Sequence, residues 1–136
     1  MSFGLNNDGE VALLESYFNN ESSVMGVYSN SEDAISDADS VADVNSEPSG
    51  SLYARQTVDS SEVTVTHSNG SGSIDVAPQT FNVSDSVQKI DAAFLYNSSD
   101  GLLLRLGIDT TSYPNDYIDT AELDNLRLGG DALTLE

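Results

Sequence analysis

The sequence predicts a mainly β domain, an antiparallel β-sandwich or jelly roll with one short N-terminal helix. Two apolar runs, Ala92–Tyr96 and Leu102–Leu106, are separated by a polar linker that ends in Asp-Gly. This linker is typical of a β-hairpin, because Gly101 can adopt a positive φ without steric cost. Other short apolar segments recur between turn residues, as they do in antiparallel sandwiches and jelly rolls. The hairpin is the most apolar part of the chain, and we expect it at the centre with both faces covered.

The N-terminal segment has the periodicity of an amphipathic helix. Leu14 and Phe18 lie four residues apart, with another apolar residue one turn earlier, so they share one face of a helix. We expect this helix to span about residues 9–18. Asn7 or Asp8 is expected to cap it, since either side chain can accept a hydrogen bond from the first turn.

A strand at Val24–Tyr28 is expected next, followed by a long acidic loop over about residues 29–50. The loop contains six acidic residues and few apolar ones, so we expect it to add little to the core and to tolerate shortening. Its carboxylates raise the question of a calcium site. An EF-hand loop needs an oxygen ligand and a glycine where this chain has Val41 and Ala42. The motif therefore fails, and no cofactor is expected beyond cations held loosely from high salt. The weak candidate ligands are Asp37, Asp39 and Asp43.

The remaining chain is predicted to consist of short strands and turns. Pro78 is expected to divide two of these strands or to mark an edge, because proline cannot donate to a strand ladder. Asn69 to Gly72 is expected to form a turn, and Ser112–Tyr117 an irregular loop. The predicted strands are Leu52–Val58, Glu62–His67, a segment with Ile74 and Val76, a segment with Phe81 and Val83, the hairpin, and a closing hairpin made by Leu126–Leu128 and Leu133–Leu135.

The charge balance is extreme. The 136 residues fit a single domain, and they include 23 acidic against four basic residues, a formal net charge of −19. Self-repulsion at that density opposes a compact state, but in roughly molar salt the Debye length falls to about 3 Å and the repulsion is screened. We therefore expect a protein from a halophile. The charge also argues against binding nucleic acid or an anionic membrane. No bilayer-spanning segment or secretory leader is expected. The absence of cysteine excludes disulfides.

The sequence contains no motif that selects a catalytic residue. His67 is the only histidine, and it shares a strand face with Val63 and Val65, so we expect a packed or rim histidine rather than a general base. A nucleophile elbow, a zinc spacing and a phosphate-binding glycine loop are all missing from the sequence. Arg55 is expected to form a structural ion pair in so acidic a chain. We therefore expect that the protein is not an enzyme.

Three segments resemble a pattern in small virion proteins of tailed viruses, described as tail-fibre-like or capsid-decoration proteins. These segments are PSGSLYARQTV at Pro48–Val58, an apolar hairpin at Ala93–Leu104 and a closing apolar segment at Leu126–Leu135. Their order matches over nearly the whole chain, although Leu52 interrupts the glycine-rich turn that usually precedes Tyr-Ala-Arg. The resemblance implies a structural protein without catalytic residues. The halophilic composition would then place it in a virus of a haloarchaeon or another halophile.

The leading functional hypothesis is therefore a capsid-surface decoration or turret subunit, assembled into virions in the host cytoplasm. A tail-tip, baseplate or fibre subunit is the alternative within this class. The subunit is expected to form a homo-oligomer, a trimer or pentamer, and to dock on virion proteins such as the major capsid protein. The expected interface residues are Tyr53, Arg55, Leu126, Leu128, Leu133 and Leu135.

An alternative of another class is a carbohydrate-binding or adhesion module. Antiparallel sandwiches often host glycan sites, which require exposed aromatic side chains, and here Tyr113 and Tyr117 are the candidates. A hydrolase is a third class, for which the sequence supplies no motif. The chain also contains four Asn-x-Ser/Thr sites that a glycosylating surface could use. Their asparagines are Asn20, Asn69, Asn82 and Asn97.

Overall fold

A computed structural model of the chain describes residues 6–68, 71–97 and 101–135. These residues contain one α-helix, nine β-strands and three single-turn 3₁₀-helices. The elements are α1 (Asn7–Phe18), β1 (Ser23–Tyr28), β2 (Gln56–Val58), β3 (Val63–Ser68), β4 (Ser71–Asn82), β5 (Lys89–Ile90), β6 (Ala92–Asn97), β7 (Leu102–Gly107), β8 (Ile118–Asp119) and β9 (Asn125–Leu135), with 3₁₀-helices at Val41–Asp43, Ser60–Glu62 and Thr120–Glu122.

The strands form three antiparallel sheets. Sheet A has the order β2-β1-β6-β7, sheet B has the order β3-β4-β9, and β5 pairs with β8 in a small third sheet. The prediction of a mainly β, antiparallel class with one N-terminal helix is confirmed. These strand orders do not confirm the jelly roll. Among the described residues, no helix is long and apolar enough to cross a membrane.

The principal core lies between sheets A and B. Alternate residues of each strand point into it, because successive side chains of a strand face opposite sides. Leu14 and Phe18 of α1 belong to this core, so the predicted amphipathic helix is confirmed, although it begins at Asn7. Its predicted cap is wrong, since Asn6 occupies the N-cap position and its side chain makes no capping hydrogen bond. The core residues from the two sheets include Met25, Val27, Ala93 and Leu95 of sheet A and Val63, Ile74, Val76, Phe81 and Leu126 of sheet B.

A second, smaller core lies on the other face of sheet A. Phe94 of β6 is fully buried there, together with Tyr28 of β1. Ile35 and Val44 of the acidic loop (residues 29–50) cover them and are 4% and 8% exposed. The expectation that this loop adds little to the core is therefore wrong. Strands β1 and β6 are apolar on both faces, so their outer face needs a cover, and the loop supplies it.

The central hairpin forms as predicted, but only one of its strands is central. Strand β6 lies between β1 and β7, whereas β7 is paired only with β6 among the described residues. Leu104 and Leu106 of β7 are half-buried and Arg105 is exposed. The prediction that both faces of the whole hairpin are covered is thus correct for β6 and wrong for β7.

The predicted closing hairpin is wrong, because β9 is one continuous strand along β4. Its register shifts between Ile74 and Asp75 and again between Val76 and Gln79, where Ala77 and Pro78 lie opposite the single residue Gly129. A Cβ atom at position 129 would lie 2.8 Å from Pro78 Cα, so glycine is required by this close approach. Pro78 therefore marks an irregularity within one long strand, and the prediction of two separate strands around it is also wrong.

Two further boundaries differ from the predictions. Only Gln56–Val58 of the segment Leu52–Val58 is a strand, because Leu52 belongs to a turn and residues 53–55 have no regular structure. Of the turn predicted from Asn69 to Gly72, the last two residues belong to β4, and Asn69 and Gly70 lie outside the described residues. The loop predicted at Ser112–Tyr117 is confirmed.

Candidate functional site

The most connected group of polar side chains lies where the end of the acidic loop crosses the outer face of sheet A. Arg55 makes a bidentate ion pair with Glu47, with Nε to Oε1 at 3.0 Å and Nη2 to Oε2 at 2.8 Å. Its third nitrogen, Nη1, donates to the Tyr96 hydroxyl at 3.2 Å. The guanidinium carbon also lies 5.0 Å from the centre of the Phe94 ring. The predicted structural ion pair of Arg55 is confirmed, and a planar fork of this kind suits arginine better than lysine.

Tyr53 connects this cluster to the principal core. Its ring stacks on Phe81 with centroids 6.0 Å apart, and its hydroxyl donates to Glu47 Oε1 at 2.8 Å. The same hydroxyl accepts a hydrogen bond from the Val27 amide at 3.1 Å. Strand β2 pairs with β1 only from Ser23 to Met25, so the phenol satisfies a strand amide that β2 does not reach.

The turn before Tyr53 is held by a neighbouring loop. The Gly50 amide donates to Ser86 Oγ at 3.1 Å, and the Leu52 amide donates to Asp85. A Cβ atom at position 50 would lie 2.2 Å from Asp85 Oδ1, so a larger residue would displace the carboxylate that accepts from the Leu52 amide. The Pro48–Val58 segment is therefore a structural unit, which places Tyr53 and Arg55 over sheet A.

The chemistry of this cluster is structural. Burial raises the pKa of Tyr53 well above that of a free phenol, so the hydroxyl stays neutral. The hydrogen bonds from Arg55 to Glu47 raise the pKa of Arg55, so the guanidinium stays charged. Neither group exchanges a proton near neutral pH. The cluster fixes the end of the acidic loop.

Other contacts hold the start of the acidic loop. Arg105 of β7 donates to Asp37 and to the carbonyl oxygen of Ile35. Asp91, just before β6, accepts hydrogen bonds from the amides of Asn30 and Ser31 at 2.7 and 3.2 Å. The loop is thus attached to sheet A at both ends, and Glu47, Asp91 and Arg105 of these contacts were not selected by sequence patterns.

The three weak candidate cation ligands are not brought together. Asp37 pairs with Arg105, Asp39 accepts from Ser36, and Asp43 accepts from Ser40 within the 3₁₀-helix capping box. Within residues 6–68, 71–97 and 101–135, no group of three or more His, Asp or Glu side chains could hold a metal ion.

The candidate glycan-contact residues lie in the loop between β7 and β8. Tyr113 is 39% exposed, whereas Tyr117 is half-buried and its ring lies 5.3 Å from the Lys89 ammonium. The two rings therefore have different environments, and one of them already contacts a cation. His67 lies in β3 opposite Gly72, and its side chain is outside the described part of the structure.

The Asn-x-Ser/Thr sites also differ from one another. Asn97 is 1% exposed and its amide donates to Glu21, so a glycan cannot be attached there without unfolding. Asn20 and Asn82 are exposed, and Asn69 lies outside the described residues. Sequence alone does not separate these sites.

The predicted interface residues lie in two places, two of them near the end of the acidic loop and four leucines in β9. Tyr53 and Arg55 make their hydrogen bonds within the chain, and Leu126 is 5% exposed in the principal core. Leu128 is half-buried against the same core. The register places Leu133 opposite Ile74 and Leu135 opposite Gly72. A subunit contact through β9 would therefore use the backbone edge of the strand and its outward residues.

Sequence reasoning missed the carboxylates that organise this region, namely Glu47, Asp85 and Asp91. They are three of 23 acidic residues, and no local pattern distinguishes them from the solvated ones. No protein-family model matches the chain, and neither a curated protein nor a solved structure is significantly similar to it. The resemblance to virion proteins rests on the sequence motifs alone.

Proposed function

We propose that this chain is a non-enzymatic virion structural protein of a halophilic tailed virus, a capsid-surface decoration or turret subunit. It acts by pairing with copies of itself and by docking on other virion proteins, such as the major capsid protein. The virion assignment is supported by the motif order along the chain. The proposed self-association is supported by the strand order of sheet B, which places β9 at an edge.

The observation that carries the proposal is the open edge of β9. This strand has eleven residues and, in the described part of the chain, pairs only with β4. A register shift after Asp131 interrupts its ladder, so the regular part of the strand runs from Asn125 to Asp131. At about 3.4 Å per residue, the other edge of that part presents a row of peptide groups some 20 Å long. Natural proteins usually shorten, bulge, charge or cover such an edge, because it is a template for pairing with another chain. An edge of this length suits strand addition between subunits.

The distribution of charge also favours β9 as the surface through which copies associate. The chain carries a net charge of −19, so copies can approach only where acidic side chains are sparse or neutralised. Strand β9 contains one acidic and one basic residue, Asp131 and Arg127, and is neutral overall. The acidic loop, with six acidic residues, lies over sheet A instead. Sheet B is therefore the less repulsive side for self-association.

The proposal is tested by sedimentation of the purified chain in about 2 M salt, where its charge is screened. We expect a species heavier than one chain, and we expect electron microscopy of purified virions to locate the chain on the particle surface. A chain that stays monomeric at high concentration and has no affinity for other virion proteins would overturn the proposal. A location at the tail would favour the tail-tip, baseplate or fibre alternative.

A further inference from the structure

We infer that β9 pairs antiparallel with β9 of a second copy, about a twofold axis that passes at Gly129. This inference rests on the proposed function, because it names the partner and register of the assembly contact. A twofold contact uses the same patch on both copies. It places residue 127 of one chain opposite residue 131 of the other, and residue 129 opposite itself.

The choice of β9 among the open edges follows from charge and length. In sheets A and B, the other edge strands are β2, β3 and β7, and the two strands of the third sheet, β5 and β8, have only two residues each. Strands β2 and β3 contain no acidic, Lys or Arg residue, and β7 contains only Arg105, which already pairs with Asp37. Strand β9 alone carries both signs within five residues, so it alone can be complementary to itself.

The register follows from the positions of those two charges. Arg127 is exposed, and its neighbours Leu126 and Leu128 contact the core, so it lies on the outer face of sheet B. Because strand residues alternate, positions 129 and 131 share that face with it. Antiparallel pairing about Gly129 therefore brings each Arg127 opposite Asp131 of the other copy, and this occurs twice in the dimer. Opposite charges directly across a strand pair are favourable.

The register of sheet B adds a second observation about position 131. The register of sheet B places Asp131 directly opposite Asp75, which is exposed. Two carboxylates at directly opposed positions disfavour the pairing of their strands. Arg127 of a second copy would stand beside Asp131 on its other side and offset this repulsion.

Engineered disulfides test the register, since the chain contains no cysteine. We expect Arg127→Cys protein mixed with Asp131→Cys protein to oxidise to a dimer that contains one of each, identified by mass. Each variant alone should cross-link poorly, because the two copies of one position would lie roughly 13 Å apart, beyond disulfide reach. Thr80→Cys, on the outer face of β4, mixed with Asp131→Cys is the matched control and should not cross-link.

A charge exchange tests the energetics. In the lowest salt at which circular dichroism shows the chain folded, Arg127→Asp and Asp131→Arg should each weaken self-association by at least about tenfold, since each creates two like-charge pairs. The double variant should recover it. Glu32→Arg, which makes the same charge change as Asp131→Arg on an exposed residue of the acidic loop, should not weaken association.

The outcomes separate this inference from the proposed function. A monomer without affinity for virion proteins overturns both. An oligomer in which either single cysteine variant cross-links efficiently, or in which the double charge variant fails to recover, overturns the twofold register alone. A closed ring with an odd number of copies also overturns it, because trimers and pentamers need a contact between two different surfaces.

Discussion

The two large sheets share one core, but their outer faces differ in composition and in cover. Sheet A presents Tyr28, Phe94 and Tyr96 outward, and the acidic loop buries most of that surface. Sheet B presents residues such as Thr64 and Thr80, which are exposed to solvent. Aromatic rings require a cover and threonine does not. The comparison shows that the acidic loop is a structural part of the fold, despite a composition that is typical of a solvated loop.

The largest expected effect is that of lowering the salt concentration, which should destabilise the acidic loop over sheet A before it destabilises sheet B. Between about 3 M and about 0.1 M NaCl, loss of screening should unfold the chain, and the change should begin at the acidic loop. Hydrogen exchange should show that the amides of Ser29 and Asp43 lose protection at a higher salt concentration than those of β4. Simultaneous loss of protection would mean that the loop has no separate stability, and a salt-independent melt would contradict the screening argument.

Removal of the aromatic ring beneath the loop should have the next largest effect. Phe94→Ala should lower the free energy of unfolding by about 3–5 kcal/mol, because it leaves a cavity below the loop. Thr80→Ala, on the outer face of sheet B, is the control and should change it by less than about 0.5 kcal/mol. Urea unfolding in about 2 M salt measures both. Equal effects would show that the faces do not differ in packing.

The ion pair that fixes the end of the loop should contribute less. Glu47→Gln removes the bidentate acceptor of Arg55, and we expect it to cost about 1–3 kcal/mol, since both side chains are largely shielded from solvent. Glu32→Gln, an exposed change in the same loop, is the control and should be nearly neutral. An effect of Glu47→Gln as small as that of Glu32→Gln would mean that apolar contacts alone hold the loop.

The smallest expected effect concerns Glu62, beside sheet B. Hydrogen bonds from the Gln79 side chain and then from the Asp59 amide lower the pKa of Glu62 below its ordinary value of 4.5. Because the folded-state pKa is the lower one, its stabilisation is present above pH 4.5 and is lost as the pH falls through the folded value. Carboxyl chemical shifts followed by NMR should show the lowered pKa in the wild type, and Gln79→Ala should raise it. Equal pKa values of Glu62 in the wild type and in Gln79→Ala would show that this hydrogen bond does not cause the lowered pKa.

The candidate site was only partly predictable. Arg55 could be selected from sequence, because a rare cation in an acidic chain is expected to pair with a carboxylate. Its partner Glu47 could not be selected from among 23 acidic residues. Gly26 is a similar case: a Cβ atom there would lie 2.4 Å from Phe94 Cζ, yet nothing in the neighbouring residues indicates that a ring approaches. Such contacts join residues far apart in sequence.

The sequence by itself determined the mainly β class, the N-terminal helix and the β6–β7 hairpin, because these depend on local periodicity and on turn residues. Only the tertiary structure decided that β7 lies at an edge, that β9 runs unbroken past Gly129, and that Ile35 and Val44 of the acidic loop belong to a core. Burial depends on which surfaces meet, and this is set by contacts between segments that are far apart in the sequence. Alternation shows that a residue faces one side of a strand, but not whether another segment covers that side.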